Sequence, residues 1–148
     1  MTVVVVSPEF VVRLSLAVLF LLLASAADAA TLTVHVTNVD PKGGTLRVSL
    51  YDVAGWSKNE DTPLVSANVP AVAPETTVTL PSVKPGVYGV KLFQDVNNNG
   101  KFDQNFFGLP LERYGFSCNA KPFLSQPAFD RTKVTIGDGS NTMAIRLQ

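Results

Sequence analysis

The sequence predicts an all-β protein: a single antiparallel β-sandwich of about seven strands with a long aromatic-rich loop excursion. Three observations lead to this prediction. Apolar and polar residues alternate in short segments that are rich in β-branched residues. Turn residues separate these segments, and no apolar repeat of helical period follows residue 30. Strands that succeed one another without crossover helices pair as antiparallel sheets.

The first element is a targeting segment over residues 1–29. Arg13 precedes the uncharged apolar run Leu14–Leu23, and small residues follow. This order is typical of a secretory signal peptide, and the run is shorter than the ~20 residues of a membrane-spanning helix. We expect cleavage after Ala29, which leaves one domain over residues 30–148 without a membrane span.

Cleavage after Ala26 is the alternative, and a retained membrane anchor is the weaker interpretation of the same segment. With the signal removed, the protein is expected to be periplasmic or secreted. The whole chain has a formal net charge of zero, so no basic excess is available to bind nucleic acid. The single cysteine, Cys118, has no internal disulfide partner, and we expect it to be buried and inert.

Alternation of period two places one set of side chains inward and the other toward water. A further strand is expected over residues 64–72, where Pro70 interrupts the pattern. The clearest strand segments are 32–37, 46–51, 78–80, 88–92, 134–136 and 143–147.

Pro85, Gly86 and Tyr88 introduce one of these strands. A Pro-Gly turn presets the chain direction, and the tyrosine hydroxyl can bond back to backbone just upstream. This arrangement is common in immunoglobulin-like and transthyretin-like sandwiches, so we predict a sandwich of that type.

Between Asp95 and Asp130 the alternation stops. A connection this rich in aromatic residues is not expected to be disordered, and a loop of this length is usually functional or folded on itself. We expect a packed excursion over one end of the sandwich. Its aromatic residues are Phe102, Phe106, Phe107, Tyr114, Phe116, Phe123 and Phe129.

The excursion opens with the pattern D-x-N-x-N-G-x-x-D, in which oxygen-bearing side chains recur at alternate positions. Such spacing can aim several oxygens at one point, as Ca²⁺ requires, and Gly100 allows the sharp turn. The alternative is a ladder of Asx turns that needs no metal. The candidate calcium ligands are the side chains of Asp95, Asn97, Asn99 and Asp103, the Lys101 carbonyl, and Glu112 folding back to complete the set.

Two neighbouring motifs resemble a bacterial exported family, domain of unknown function 2141. They are the D-x-N-x-N-G-x-x-D run at 95–103 and the G-x-P-x-E-x-Y-G-F-S run at 108–117. The resemblance implies a small β-sandwich outside the cytoplasm, without an established activity.

An enzymatic role has little in the sequence to support it. His35 lies on the polar face of the first predicted strand, where a structural histidine is expected. Asp103 and Glu112 form a candidate acid pair for a small hydrolase of envelope glycans, which we keep as the alternative function. We predict instead a non-enzymatic binding or structural protein of the cell envelope.

The ligand of such a protein is unknown, and a glycan or a protein is expected. Four aromatic residues are candidates for a flat apolar platform that would contact a sugar ring or a hydrophobic partner. The alternative is that they form the excursion's own small core. These residues are Trp56, Phe106, Phe107 and Tyr114.

Overall fold

The structure is a computed structural model that describes residues 29–58 and 62–148. The predicted signal segment lies outside the described residues, apart from Ala29. Within the described ranges, no helix has the length and hydropathy needed to cross a bilayer.

The described residues form eight strands and one short α-helix, and the all-β prediction is confirmed. Two single-turn 3-10 helices, Ser117–Asn119 and Phe129–Arg131, lie in the excursion. The helix α1 spans Val53–Lys58. The strands are β1 Ala30–Thr37, β2 Thr45–Tyr51, β3 Val65–Pro70, β4 Glu75–Val83, β5 Gly86–Asp95, β6 Tyr114–Phe116, β7 Val134–Ile136 and β8 Ser140–Arg146.

The strands form two sheets. One has the order β4-β1-β8, and the other has the order β3-β2-β5-β6, with β7 also paired to β5. All pairs are antiparallel except β1 and β8, which run parallel. The prediction of a wholly antiparallel sandwich was therefore wrong at this edge. A hairpin forces antiparallel pairing, but β8 reaches β1 after a long connection and is free of that constraint.

The core lies between the two sheets and follows the predicted alternation. Buried and less buried residues alternate along β1, and the strands β2 and β4 repeat the pattern. Removing these side chains from water is the main stabilising term of the fold. The core side chains without exposed surface include Leu32, Val34, Val36, Leu46, Val48, Val78, Leu80 and Val90.

The excursion is more ordered than the sequence pattern indicated. It contains β6, whose three residues pair with Lys91–Phe93 of β5 and are too few to show an alternation. The helix α1 also escaped prediction, because six residues make less than two turns. Its first turn is capped by Asp52, whose Oδ1 accepts a hydrogen bond from the Gly55 N–H over 2.8 Å.

Cys118 is exposed, so the expectation of a buried thiol was wrong. Cys118 and Asn119 are consecutive residues with positive φ, 58° and 50°. Two left-handed residues in succession turn the chain sharply after β6. The sequence gives no signal for this geometry at a cysteine, since the left-handed region is uncommon for any residue except glycine and, less often, asparagine.

The Pro-Gly-x-Tyr prediction is confirmed locally. The Tyr88 hydroxyl donates a hydrogen bond to the Lys84 carbonyl over 2.8 Å. His35 is exposed as expected, and its Nδ1 lies 3.1 Å from the Thr77 hydroxyl.

Trp56 attaches the second half of the excursion to the sheet. Its ring is 2 % exposed and makes edge contacts with Tyr51, Phe116 and Phe129. Its Nε1–H donates a hydrogen bond to the Pro127 carbonyl over 2.9 Å. The buried ring therefore joins α1, β2, β6 and residues 127–129 in one aromatic cluster.

Candidate functional site

The loop of interest, which we call the Asp95 loop, spans residues 95–113 and begins where β5 ends, at a carboxylate without exposed surface. Asp95 pairs through its backbone with Thr45 of β2. Arg47 Nε and the Gly100 N–H donate hydrogen bonds to Asp95 Oδ2 over 2.7 and 2.8 Å. The Asn99 N–H donates to Oδ1 over 3.1 Å. The loop thus folds around one carboxylate that three donors hold in place.

Burial raises the pKa of Asp95, because it removes water from the carboxylate. The hydrogen bond and the charge of Arg47, together with the two backbone N–H groups, outweigh burial and hold this pKa below its ordinary value. Asp95 is therefore ionised at neutral pH. Arg47, whose side chain is 25 % exposed, is its counter-cation.

A second cluster lies in the exposed part of the loop. The Asn97 amide donates to Asp103 Oδ2 over 2.7 Å, and the Asn99 amide donates to both oxygens of Asp103 over 2.9 and 3.1 Å. The asparagine oxygens face the backbone. Asn97 Oδ1 accepts from the Asn99 N–H over 3.0 Å, and Asn99 Oδ1 accepts from the Lys101 N–H over 2.8 Å. These two contacts are Asx turns.

The Glu112 side chain, near the end of the loop, bonds to two positions in its first half. It is 8 % exposed, and each carboxylate oxygen accepts a backbone hydrogen bond over 3.0 Å. Oε1 accepts from the Val96 N–H and Oε2 from the Asp103 N–H. Glu112 folds toward the loop and its carboxylate meets backbone donors, while its role as a calcium ligand stays a prediction.

The six predicted ligand residues thus lie in one loop, but in different roles. Asn97, Asn99 and Asp103 come together at the surface, while Asp95 and Glu112 each hold separate backbone N–H groups. Within residues 29–58 and 62–148, no three His, Cys, Asp or Glu side chains are grouped closely enough to hold a metal ion. Arranged in this way, the loop's oxygens bind internal N–H donors.

Arg47 is the functional residue that sequence reasoning missed. It lies on β2, 48 positions before its partner Asp95, and nothing local connects the two residues. Strand pairing connects them, because β2 and β5 pair in the register Thr45↔Asp95 and Arg47↔Phe93. A basic residue on the strand adjacent to the loop was the only available signal.

The base of the loop is fixed to the neighbouring turn between β1 and β2. The Gln94 side chain, which has no exposed surface, donates to the carbonyls of Asp40 and Gly43 and accepts from the Asp40 N–H. Arg113 donates to the Asn38 carbonyl over 2.6 Å and lies 3.7 Å from the Asp40 carboxylate. Both ends of the loop are therefore held by contacts with side chains or backbone from outside it.

Above this base the chain forms a narrow hairpin, which we call the apolar tip and define as residues 104–111. Gln104 and Pro110 form a β-bridge, and the Gly108 N–H donates to the Asn105 carbonyl over 2.9 Å. Asn105 to Gly108 is thus a four-residue turn, with asparagine first and a glycine of φ 76° last. Phe106 and Phe107 occupy its two central positions.

The apolar tip exposes four large hydrophobic side chains. The exposed fractions are 97 % for Phe106, 82 % for Phe107, 60 % for Leu109 and 67 % for Leu111. The two phenylalanine rings contact each other edge to face, with centroids 5.6 Å apart. A turn whose central positions are both aromatic presents these rings outward, because the side chains of a tight turn point away from its closed backbone.

The four residues of the predicted platform divide into two groups. Trp56 is buried in its own cluster, and Tyr114 is half-buried between Phe102 and Phe116. These two residues belong to the internal packing of the excursion. Phe106 and Phe107 are the exposed pair, so of the predicted platform only the apolar tip presents aromatic surface for binding.

Comparison with known proteins identifies a family for this chain. A family model described as "Uncharacterized protein conserved in bacteria (DUF2141)" matches residues 34–144. The matched span includes most of the two sheets, the Asp95 loop and the apolar tip. No curated protein and no solved structure matches the chain.

Proposed function

The chain belongs to the DUF2141 family of bacterial proteins, and we propose that it is an exported, non-enzymatic binding protein of the cell envelope. In this proposal the β-sandwich and the Asp95 loop are the support, and the apolar tip is the binding element. The single observation that carries the proposal is the exposure of Phe106 and Phe107 at the end of a loop that is otherwise tightly bonded.

The rigidity of the support is what distinguishes this tip from a mobile hydrophobic loop. The Asp95 carboxylate accepts three hydrogen bonds, and the Glu112 carboxylate joins the two ends of the loop. A binding element that is already ordered loses little conformational entropy when its partner arrives. Exposed aromatic side chains on an ordered support are also typical of residues that contribute most to binding.

Retention of envelope material tests the proposal. The purified protein is immobilised and exposed to the envelope fraction of its host, and the bound lipid, glycan and protein are measured. The double variant Phe106→Ser/Phe107→Ser should lose at least 90 % of the retained material, because burial of each ring contributes roughly tenfold in affinity.

The chain offers a closely matched control for this experiment. Phe123 and Leu124 are 82 % and 97 % exposed, the same fractions as the tip pair, but they lie outside the tip. The variant Phe123→Ser/Leu124→Ser should retain envelope material as the unsubstituted protein does. Equal retention by the tip variant and the control would refute the proposed function.

Export itself is supported by the basic flank, apolar run and small residues of the segment 1–29. Mass spectrometry of the protein recovered from the periplasm or medium tests this part. A mature N-terminus at Ala30 is the expected result. A full-length chain confined to the cytoplasm would contradict it.

Calcium binding at the Asp95 loop is a second proposal, and one observation favours it. The side-chain amide nitrogens of Asn97 and Asn99 lie 2.7–3.1 Å from the Asp103 carboxylate oxygens at the surface. The amide and carboxylate oxygens of these residues are the ligand atoms that Ca²⁺ prefers. Binding would require both amides to turn and release the N–H groups of Asn99 and Lys101. Each of those hydrogen bonds contributes about 1 kcal/mol, so modest affinity is expected.

Thermal unfolding in 5 mM CaCl₂ and in chelator distinguishes a loop that binds Ca²⁺ from a loop in which Arg47 alone supplies the positive charge. A Ca²⁺ affinity of order 10⁻³ M would raise Tm by about 4 °C at that concentration. If Arg47 alone supplies the positive charge, the two curves superimpose. Mg²⁺ at the same concentration is the control for a general ionic effect.

The alternative of a glycan hydrolase receives less support from the geometry. Both oxygens of Glu112 accept backbone hydrogen bonds, and Asp103 is bonded to two amides. A general acid has to reach its substrate, and neither carboxylate is directed at an open cleft by these contacts.

The finer fold type, immunoglobulin-like or transthyretin-like, is also a proposal, and the Tyr88 hydrogen bond to Lys84 supports it.

A further inference from the structure

We propose that the apolar tip inserts into the surface of a lipid bilayer, so that the protein is held peripherally at an envelope membrane. This inference rests on the proposed function and names its partner. The occupant is the interfacial zone of the bilayer, where the rings would lie among the upper acyl chains.

The apolar tip carries no charge. Residues 104–111 read Gln-Asn-Phe-Phe-Gly-Leu-Pro-Leu, and none of them is ionisable. A charged side chain would oppose entry into the acyl region, whereas aromatic and aliphatic side chains favour it. The four largest side chains of the segment are all exposed, so no rearrangement is required to present them.

The backbone of the apolar tip is largely hydrogen-bonded within the protein. An apolar medium offers no hydrogen-bond partners, so a segment that enters it has to satisfy its own N–H groups. In the apolar tip, the N–H groups of Phe107 and Leu109 both donate to Asn105 Oδ1, over 2.9 and 3.0 Å. The N–H groups of Asn105, Gly108 and Leu111 donate to carbonyls at 2.9 Å. Five backbone donors are therefore already paired before any contact with lipid.

The apolar tip is a convex projection, because Phe106 is 97 % exposed and touches little except its neighbour Phe107. A fluid acyl layer closes around such a projection without any preformed complement. A protein partner would need a pocket fitted to two perpendicular rings, which is the less general solution.

Charge at the base of the tip agrees with a zwitterionic headgroup layer. Three basic and four acidic residues belong to the Asp95 loop or contact it, so neither sign strongly predominates. Attraction to anionic lipid is therefore not expected to dominate binding. The residues are Arg47, Lys101 and Arg113 with Asp40, Asp95, Asp103 and Glu112.

Flotation with vesicles tests the inference. The purified protein is mixed with phosphatidylcholine vesicles and centrifuged in a density gradient, with and without phosphatidylglycerol. Phe106→Ser/Phe107→Ser should partition about 100-fold more weakly, from roughly tenfold for each ring. Phe123→Ser/Leu124→Ser should float as the unsubstituted protein does. Anionic lipid or added salt should change partitioning by less than about threefold.

A dye that reports polarity gives a second, independent measurement. Placed at Phe106→Cys in a Cys118→Ser background, it should shift to the blue when vesicles are added. The same dye at Phe123→Cys should not shift. All substituted side chains are highly exposed, and the melting curves of the variants should superimpose on that of the parent.

The outcomes separate this inference from the proposed function. Flotation lost only in the tip variant supports insertion. Equal flotation of the tip variant, or equal loss in the Phe123/Leu124 control, overturns it. If the protein does not float but still retains envelope protein or glycan through the tip, insertion is overturned and the proposed function stands. If neither flotation nor tip-dependent retention occurs, both fail.

Discussion

Replacing Arg47 by methionine should destabilise the protein by about 2 kcal/mol. The substitution keeps most of the aliphatic stem and removes the cation that faces Asp95, a carboxylate without exposed surface. A hydrogen bond to a charged group contributes about 1.5–3 kcal/mol, and breaking a fully buried ion pair costs about 3–5 kcal/mol. Because Arg47 is 25 % exposed, water replaces part of the lost interaction, and the lower range applies.

Thermal and urea unfolding, followed by circular dichroism, measure this loss. For a domain of ~120 residues, 2 kcal/mol corresponds to about 8 °C in Tm. A double-mutant cycle with Asp95→Asn isolates the pairwise term, which should be about 1.5 kcal/mol. The destabilisation of the double variant should therefore be clearly less than the sum of the two single variants.

The ion pair between Lys133 and Asp130 is the matched control. Its Nζ–Oδ1 distance is 2.9 Å, close to the 2.7 Å of the Arg47 pair, but its side chains are 53 % and 84 % exposed. Solvent screens such a pair, so Lys133→Met should change stability by less than about 0.5 kcal/mol. If Arg47→Met were equally harmless, the assignment of Arg47 as the loop's internal cation would be wrong.

Three further predictions concern the same support. Because the pKa of Asp95 is depressed in the folded state, this carboxylate should contribute fully to stability above about pH 5, and its contribution should be lost as pH falls below about 4. The difference in stability between the parent protein and Asp95→Asn should therefore narrow on acidification, and an unchanged difference would contradict this. Glu112→Gln should lower the free energy of unfolding by about 1–2 kcal/mol, since the amide has one acceptor oxygen and two backbone N–H groups each need an acceptor. Urea unfolding at pH 7 measures this loss, and no change would show that the two hydrogen bonds are dispensable. Gly89→Ala should lower the free energy of unfolding by about 1–3 kcal/mol, because a Cβ there would lie 2.6 Å from Trp56 Cε3. Trp56 is the only tryptophan in the sequence, so the fluorescence of the protein should change as well. An unperturbed emission spectrum would argue against this contact.

Much of the sandwich could be predicted because its information is local. In β1 the alternation of Leu32, Val34 and Val36 with polar neighbours specifies both the strand and its inward face. The parallel pairing of β8 with β1 could not be predicted in the same way, since it joins residues more than 100 positions apart. The three residues of β6 were too few for any periodicity to be recognised.

The Asp95 loop shows a similar division. Asn97, Asn99 and Asp103 meet in the structure, and they lie within one short stretch of chain. Their spacing is compatible with a cation or with amide donors at the meeting point, and sequence alone does not distinguish them. Arg47 arrives through strand pairing, so its role depends on a register that only the fold reveals.

Exposure was the property that the aromatic residues themselves did not reveal. Trp56 and Phe106 are both large and apolar, yet one has 2 % and the other 97 % of its surface exposed. The difference comes from context, because Trp56 lies in α1 beside β5, while Phe106 occupies the second position of a tight turn.

The pairing of β1 with β8 also bears on how the molecule is made. The first strand of the sandwich is the centre of its sheet and takes one neighbour from the last strand, in continuous register from Thr31↔Ser140 to Thr37↔Arg146. A chain that emerges in sequence order cannot finish that sheet until β8 has emerged. Contacts between segments so far apart in sequence slow folding, so we expect this sheet to be completed late.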